Sequence, residues 1–184
     1  MLRRLAAVLR PQPLRRRLSG ARALQQSDTS SSTSSSSLSA SVLAYADGAS
    51  RGNPGRSGCG ALLVDPSTGR VLARAAKFVG ERETNNAAEY HGLLLALQLA
   101  RRHEAARVHV LMDSQLVVRQ MQGQYRVKAA NLRRLHQQCR ELSAALPHVT
   151  FSHVPREDNA AADRLANEAI DAHEFEAAER LEDP

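Results

Sequence analysis

The chain has 184 residues, enough for one domain with a hydrophobic core and for additional segments at its ends. Its formal net charge is +6 at pH 7, and the excess lies in residues 1–42, which hold seven Arg against one acid. Cys59 and Cys139 stand alone in the sequence, which excludes a disulfide framework and a zinc knuckle, and no apolar run reaches the roughly 18 residues of a membrane span. We therefore expect reduced core thiols and no membrane partner.

The segment 1–41 has the composition of a targeting sequence. It is rich in Arg, Leu, Ala and Ser and nearly free of acids, and Leu2, Leu5 and Leu9 share one helical face. The tract 27–41 is almost entirely Ser and Thr and predicts a disordered linker. We expect a mitochondrial transit peptide, with a plastid as the alternative destination. A basic arm that binds nucleic acid is the other interpretation.

A domain is predicted over residues 42–171, and its first part has the pattern of strands. Apolar runs at 42–46, 60–65 and 70–79, with a turn at 66–69, predict an antiparallel meander. Apolar residues at helical spacing then predict a helix from about Asn85 to His103.

The second part of the domain alternates strands and helices. A strand is predicted at 108–112, a helix that follows Asp113 and is broken by Gly123, a helix at 129–145 and a strand at 149–154. A last helix starts near Asn159 and runs into an acidic tail, 172–184. This βββαβαβα order predicts an α/β fold whose mixed sheet carries helices on both faces.

Four acids occupy positions where apolar side chains are expected. Asp47 ends the first predicted strand, Asp113 follows the fourth, and Glu89 and Asp163 lie near the starts of two helices, on the faces turned towards the sheet. Each alone has another explanation: a turn residue for Asp47, a helix N-cap for Asp113, and acids that complement the helix dipole for the other two. Together they can meet at the carboxyl edge of one sheet, where they repel each other unless cations neutralise them. Oxygen ligands of this kind select magnesium or manganese.

Four segments carry a resemblance to a known family: YADGASRGNPGRSGCGALL (45–63), ETNNAAEYHGLLLAL (83–97), MDSQLVVRQMQGQYRVK (112–128) and HVPREDNAAADRLANEA (153–169). Over about residues 43–171 the chain resembles type 1 ribonuclease H. The resemblance implies the five-stranded ribonuclease H-like fold and endonucleolytic hydrolysis of the RNA strand of RNA/DNA hybrids, which leaves 5′-phosphate and 3′-hydroxyl ends. It also implies two Mg²⁺ ions, for which Mn²⁺ substitutes, held by Asp47, Glu89, Asp113 and Asp163.

The resemblance assigns roles to further residues. Asp47 is expected to bridge the two ions, and substrate contacts are expected from Gly48, Asn53, Thr84, Asn85, Asn86, Gln115 and Lys128. Without the resemblance, Asn53 is a turn former and Asn85 a helix cap. The accessory catalytic residue is Arg156 or His153, and the short loop 155–158 favours Arg156.

The sequence also departs from better-known members of that family. It contains no Trp, and residues 123–131 hold only two basic side chains in place of a basic protrusion. We also expect no hybrid-binding domain before the linker. We expect a monomer whose affinity for the hybrid is modest and salt-sensitive, resting on Arg51, Arg56, Lys128 and Arg133. The alternatives are a non-catalytic nucleic-acid-binding module of the same fold and a nuclease that prefers another RNA-containing duplex.

Overall fold

The computed structural model describes residues 41–182. The predicted transit peptide and all but the last residue of the predicted linker lie outside the described residues, and that last residue, Ser41, begins the first strand. The described elements are β1 (Ser41–Gly52), β2 (Gly55–Val64), β3 (Val71–Glu83), α1 (Asn85–Arg102), β4 (Arg107–Met112), α2 (Gln115–Met121), α3 (Ala130–Ala144), β5 (Val149–His153), a 3₁₀ turn (Arg156–Asn159) and α4 (Ala160–Glu182).

The five strands form one mixed sheet in the order β3-β2-β1-β4-β5. The first three strands pair antiparallel, whereas β4 pairs parallel with both β1 and β5. The predicted βββαβαβα order and the mixed five-stranded sheet are therefore confirmed. Within residues 41–182, no helix combines the length and the apolar character needed to cross a bilayer.

The first hairpin is longer than predicted. β1 pairs with β2 as far as Gly52 and Gly55, although its pairing with β4 ends at Tyr45 and Leu111. The expectation that Asp47 ends the first strand was therefore wrong: Asp47 lies where β1 continues beyond β4. The stretch after Asp47 escaped prediction because its small and polar residues show no apolar alternation, and β2 and β3 extend beyond their predicted limits for the same reason.

Helices cover both faces of the sheet. The main core lies between one sheet face and α1, α2 and α3, and includes Val42, Ala44 and Ala46 of β1, all nearly inaccessible to solvent. On the other face α4 packs on β2 so closely that a Cβ at Gly60 would lie 2.5 Å from the carbonyl oxygen of Ala162. The two cysteines are buried and unbonded, and burial raises the pKa of each thiol to about 12.

Candidate active site

Four carboxylates from four different elements line one polar cavity of about 270 Å³. Asp47 comes from the part of β1 that extends past β4, Asp113 directly follows β4, Glu89 lies in the second turn of α1, and Asp163 lies in the first turn of α4. The structure thus brings together all four acids that the sequence singled out. The other lining residues are Gly48, Ala49, Ser50, Asn85, Arg156 and Asn167.

Two glycines set the distance between β1 and α1 at this cavity. A Cβ at Gly48 would overlap the backbone of Ala88 and Glu89, and a Cβ at Gly92 would overlap the backbone of Asp47. Strand and helix therefore meet backbone to backbone, which any larger side chain at either position would prevent. This close approach places Glu89 beside the strand that carries Asp47.

Hydrogen bonds hold two of the acids in place. Glu89 accepts from Asn85 Nδ2 at 3.1 Å and from Ser114 Oγ at 2.5 Å, so α1 and the start of α2 both fix its carboxylate. Asp113 accepts from Nδ2 of Asn159, a buried residue whose amide also donates to the carbonyl oxygen of Ala46. The 3₁₀ turn before α4 is thereby tied to the central strand β1 and to the residue that follows β4.

The residues that cap α1 and α2 are not the ones that the sequence suggested. Ser114, and not Asp113, caps α2, since its hydroxyl oxygen accepts from the N–H of Val117. Thr84, and not Asn85, caps α1 by accepting from the N–H of Ala87 at 3.3 Å. Asp113 and Asn85 are consequently free of a capping role, and both line the cavity.

The cavity carries uncompensated negative charge. Burial raises the pKa of Asp47 to about 7, with further contributions from Asp113, Asp163 and Glu89, against the lowering effect of a hydrogen bond from the N–H of Gly48. Burial also raises the pKa of Glu89, although the hydrogen bond from Ser114 opposes it. Arg156 is the only cationic side chain among the lining residues, and its Nη2 donates to Asp163 Oδ1 at 2.7 Å.

The donor set fits hard divalent cations. All four candidate ligands are carboxylates, and neither Cys nor His lines the cavity. Among residues 41–182, no three acidic, histidine or cysteine side chains are grouped closely enough to hold a metal ion as they stand. Each acid also accepts a hydrogen bond from a neighbouring protein group.

The other predicted site residues fall into three groups. Gly48, Asn85 and Arg156 line the acidic cavity, and Asn53 adjoins it through its Oδ1, which accepts from the N–H of Asn85 at 3.3 Å. Asn86 and Lys128 line a neighbouring, more apolar cavity of about 540 Å³ beside Tyr125. The third group lines neither of these two cavities and consists of Thr84, Gln115 and His153. His153 is exposed at the end of β5.

Sequence reasoning missed three side chains that support the acids: Ser114, Asn159 and Asn167, whose Nδ2 donates to the backbone carbonyl and the carboxylate of Asp163. Two of them carried a usable signal, since Asn159 and Asn167 lie one helical turn before and after Asp163. Ser114 gave none, because a Ser after a strand is equally typical of a simple helix cap.

The chain matches known proteins along the part that builds this site. The family model described as "Reverse transcriptase-like" matches residues 45–169. Ribonuclease H of Methylococcus capsulatus is 33% identical over 145 residues, which cover 71% of this chain and 89% of the relative. The chain belongs to the ribonuclease H family. The resemblance to ribonuclease H that the four sequence segments carry is therefore confirmed.

Two further comparisons give the extent of the ribonuclease H similarity. The bifunctional protein Rv2228c of Mycobacterium tuberculosis is 45% identical over 131 residues, 71% of this chain but only 36% of the relative, so this chain spans about a third of that protein's length. The solved N-terminal RNase H domain of Rv2228c superposes with a TM-score of 0.71, at 43% identity, covering 75% of this chain and 99% of that chain. LC11-RNase H1, solved in complex with an RNA/DNA hybrid, superposes with a TM-score of 0.67 at 41% identity, over 72% of this chain and 98% of that one.

Proposed function

We propose that this protein is an endoribonuclease that hydrolyses the RNA strand of RNA/DNA hybrids and leaves 5′-phosphate and 3′-hydroxyl ends. The observation that carries the proposal is the meeting of Asp47, Glu89, Asp113 and Asp163 around one cavity in a ribonuclease H chain. The similar LC11-RNase H1, which was solved with a hybrid bound, supports the choice of substrate.

Divalent cations are part of the proposal, with Mg²⁺ as the ion, Mn²⁺ as its substitute, and the four carboxylates as ligands. Held by these carboxylates, two such ions would supply an activated water for in-line attack on a phosphodiester and would stabilise the leaving oxygen. The chain's own residues keep the ligands oriented: Ser114 fixes Glu89, and Asn159 fixes Asp113. Arg156, exposed at the mouth of the cavity and bonded to Asp163, is the proposed accessory group that meets the substrate phosphate.

Discrimination of RNA from DNA requires contacts to the 2′-hydroxyl group, which both donates and accepts hydrogen bonds. Amide side chains suit this purpose, and two of them lie beside the acids. Asn85 already donates to Glu89, and Asn53 accepts from the backbone of Asn85, so the β1–β2 hairpin and the start of α1 are held together. We assign the 2′-hydroxyl contacts to Asn53, Asn85 and the backbone at Gly48.

The test is a cleavage assay with a short labelled RNA annealed to DNA, annealed to RNA, or left single-stranded, each with and without Mg²⁺. Cleavage of the hybrid alone, only with Mg²⁺, and its loss in Asp47→Asn support the proposal. Asp158→Asn is the matched control, because Asp158 is an exposed carboxylate of the 3₁₀ turn Arg156–Asn159 and does not line the cavity. Equal cleavage of all three substrates, or cleavage in EDTA, contradicts the proposal.

One observation weighs against a non-catalytic binding module. Loss of catalysis on this fold is expected to leave at least one ligand position without a carboxylate, whereas all four acids line the cavity here. The double-stranded RNA arm of the same assay tests the remaining alternative, a nuclease for another RNA-containing duplex.

We further propose that residues 1–41 direct the protein to the mitochondrion, on the basis of their seven Arg, single acid and amphipathic start. Microscopy of this segment fused to a fluorescent protein tests the proposal. Signal in plastids, or in the nucleus and cytosol, contradicts it.

A further inference from the structure

A group of ion pairs joins the β1–β2 hairpin to the C-terminal half of α4. Arg51 pairs with Asp171 and, at 2.6 Å, with Glu174. Arg56 pairs with Glu174 at 3.1 Å and with Glu81 of β3 at 3.2 Å. We call Arg51 and Arg56 the hairpin arginines, and Asp171 and Glu174 the helix acids. The sequence suggested that both arginines serve substrate affinity, but in the structure acids already occupy both of them.

The hairpin arginines lie close to the active site. They face each other across the hairpin, since Arg51 and Arg56 are paired in the β1–β2 register, and Arg51 directly follows the cavity residue Ser50. Arg51 lies four positions after Asp47 along the strand, or about 13 Å, and Asp171 lies eight positions after Asp163 along the helix, or about 12 Å. Strand and helix thus carry the ion pairs about 12 Å from the catalytic acids.

In this group the negative charges outnumber the positive charges, so the group as a whole does not attract a polyanion. Two arginines face three carboxylates, those of Glu81, Asp171 and Glu174. A guanidinium group binds carboxylate and phosphate oxygens with the same planar set of N–H donors. The helix acids therefore stand where the oxygens of a backbone phosphate would bind.

We propose that the hairpin arginines form a binding surface for the phosphate backbone of the nucleic acid substrate, and that the helix acids mask this surface. The inference rests on the proposed function, because it requires a polyanionic substrate at the adjacent cavity. Both arginines and Asp171 are exposed and Glu174 is half-buried. Ion pairs this accessible to solvent are weak, so the mask can be displaced. It lowers the affinity for every duplex, whatever its sequence, and it reduces the salt dependence of binding.

The test measures binding without cleavage. Asp171→Asn/Glu174→Gln is made in an Asp47→Asn background, and its binding to a fluorescent RNA/DNA hybrid is followed by anisotropy over a range of salt concentrations. We expect tighter binding at low salt and a slope of log K against log[salt] that is steeper by up to about 2, since each phosphate neutralised contributes about 0.9. Glu168→Gln/Glu179→Gln is the matched control, with the same change of charge on the same helix at exposed positions outside this group. A gain no larger than that of the control overturns the proposal.

A second pair of variants shows whether the gain passes through the arginines. Arg51→Gln/Arg56→Gln is expected to change binding little in the chain that retains the helix acids, and to abolish the gain in the chain that lacks them. Equal losses in both chains mean that the arginines are already available, and they overturn the masking claim. The single variants Asp171→Asn and Glu174→Gln repeat the comparison with only one of the two helix acids removed. Thermal unfolding verifies that each variant is folded.

These outcomes are separate from those of the cleavage assay. A chain that shows the expected change of binding but never cleaves the hybrid keeps this inference and loses the proposed activity. A chain that cleaves the hybrid but shows no change of binding does the reverse.

Discussion

The amide of Asn159 donates to Asp113 Oδ1 at 2.8 Å from a position that is only 1% exposed. A second bond from the same amide, 3.0 Å to the carbonyl oxygen of Ala46, fixes the orientation of the side chain. One residue thus links the candidate ligand after β4 to the central strand of the sheet.

Asn159→Ala should reduce cleavage more than it reduces stability. It leaves Asp113 without its orienting donor, a kind of loss that typically costs about 10- to 100-fold in metal affinity or activity, and it costs about 1–3 kcal/mol of unfolding free energy for the unpaired carbonyl. The measurements are kcat/KM over a Mg²⁺ titration and urea unfolding. Unchanged Mg²⁺ dependence in a stably folded variant would show that Asn159 is structural only.

Asp47 should make the metal-free protein less stable as the pH rises. Its pKa is about 7 in the folded chain against an ordinary value of 3.8, so the folded state holds a proton that the unfolded state has already lost. The stabilising effect of that proton is complete below about pH 4 and is lost as the pH rises through 7. Asp47→Asn should remove this part of the slope and gain up to about 4 kcal/mol above pH 7 in EDTA.

Urea unfolding from pH 4 to pH 8 measures that effect. Asp158→Asn, the exposed control, should follow the unaltered chain, and coincident profiles for all three proteins would refute the role of Asp47. Added Mg²⁺ should narrow the difference between the unaltered chain and Asp47→Asn, because cations that bind the carboxylates stabilise only the folded state that assembles them.

Gly48→Ala should damage the fold and the site together. The added Cβ would overlap the backbone of Ala88 and Glu89, which cannot move without shifting α1. Overpacking of this kind typically costs about 1–3 kcal/mol, with loss of activity because Glu89 moves with the helix. Gly80→Ala is the control, since its Cβ would meet only the flexible Glu83 side chain at 3.3 Å. Equal melting temperatures for the two variants would contradict the close-approach argument.

Arg156→Ala should lower kcat/KM by roughly tenfold, the cost of one hydrogen bond to a charged group. His153→Ala should have a smaller effect, because His153 is exposed and does not line the cavity. Steady-state kinetics of both variants on the same hybrid decide between these two candidates for the accessory residue. A larger loss in His153→Ala would reverse the assignment.

The sequence was sufficient to predict the order of elements, because apolar periodicity marks each of them. It was also sufficient to predict that the four acids meet, because each carboxylate interrupts an apolar face near the same edge of the sheet. It was insufficient for the extension of β1 beyond Asp47, where pairing with β2 and not apolar alternation makes the strand. It also could not reveal the partners of Arg51, since those acids lie 120 and 123 residues away along the chain. Contacts at such separation follow only from the packing of α4 on the sheet.

The origin of the four candidate ligands on β1, α1, the end of β4 and α4 has a consequence for biosynthesis. They span positions 47 to 163, so a nascent polypeptide cannot assemble the complete set until the ribosome has released the beginning of α4. Under the proposed function, translation products that end before Asp163 are therefore expected to lack nuclease activity. Catalytic competence in this chain becomes a property of the finished fold.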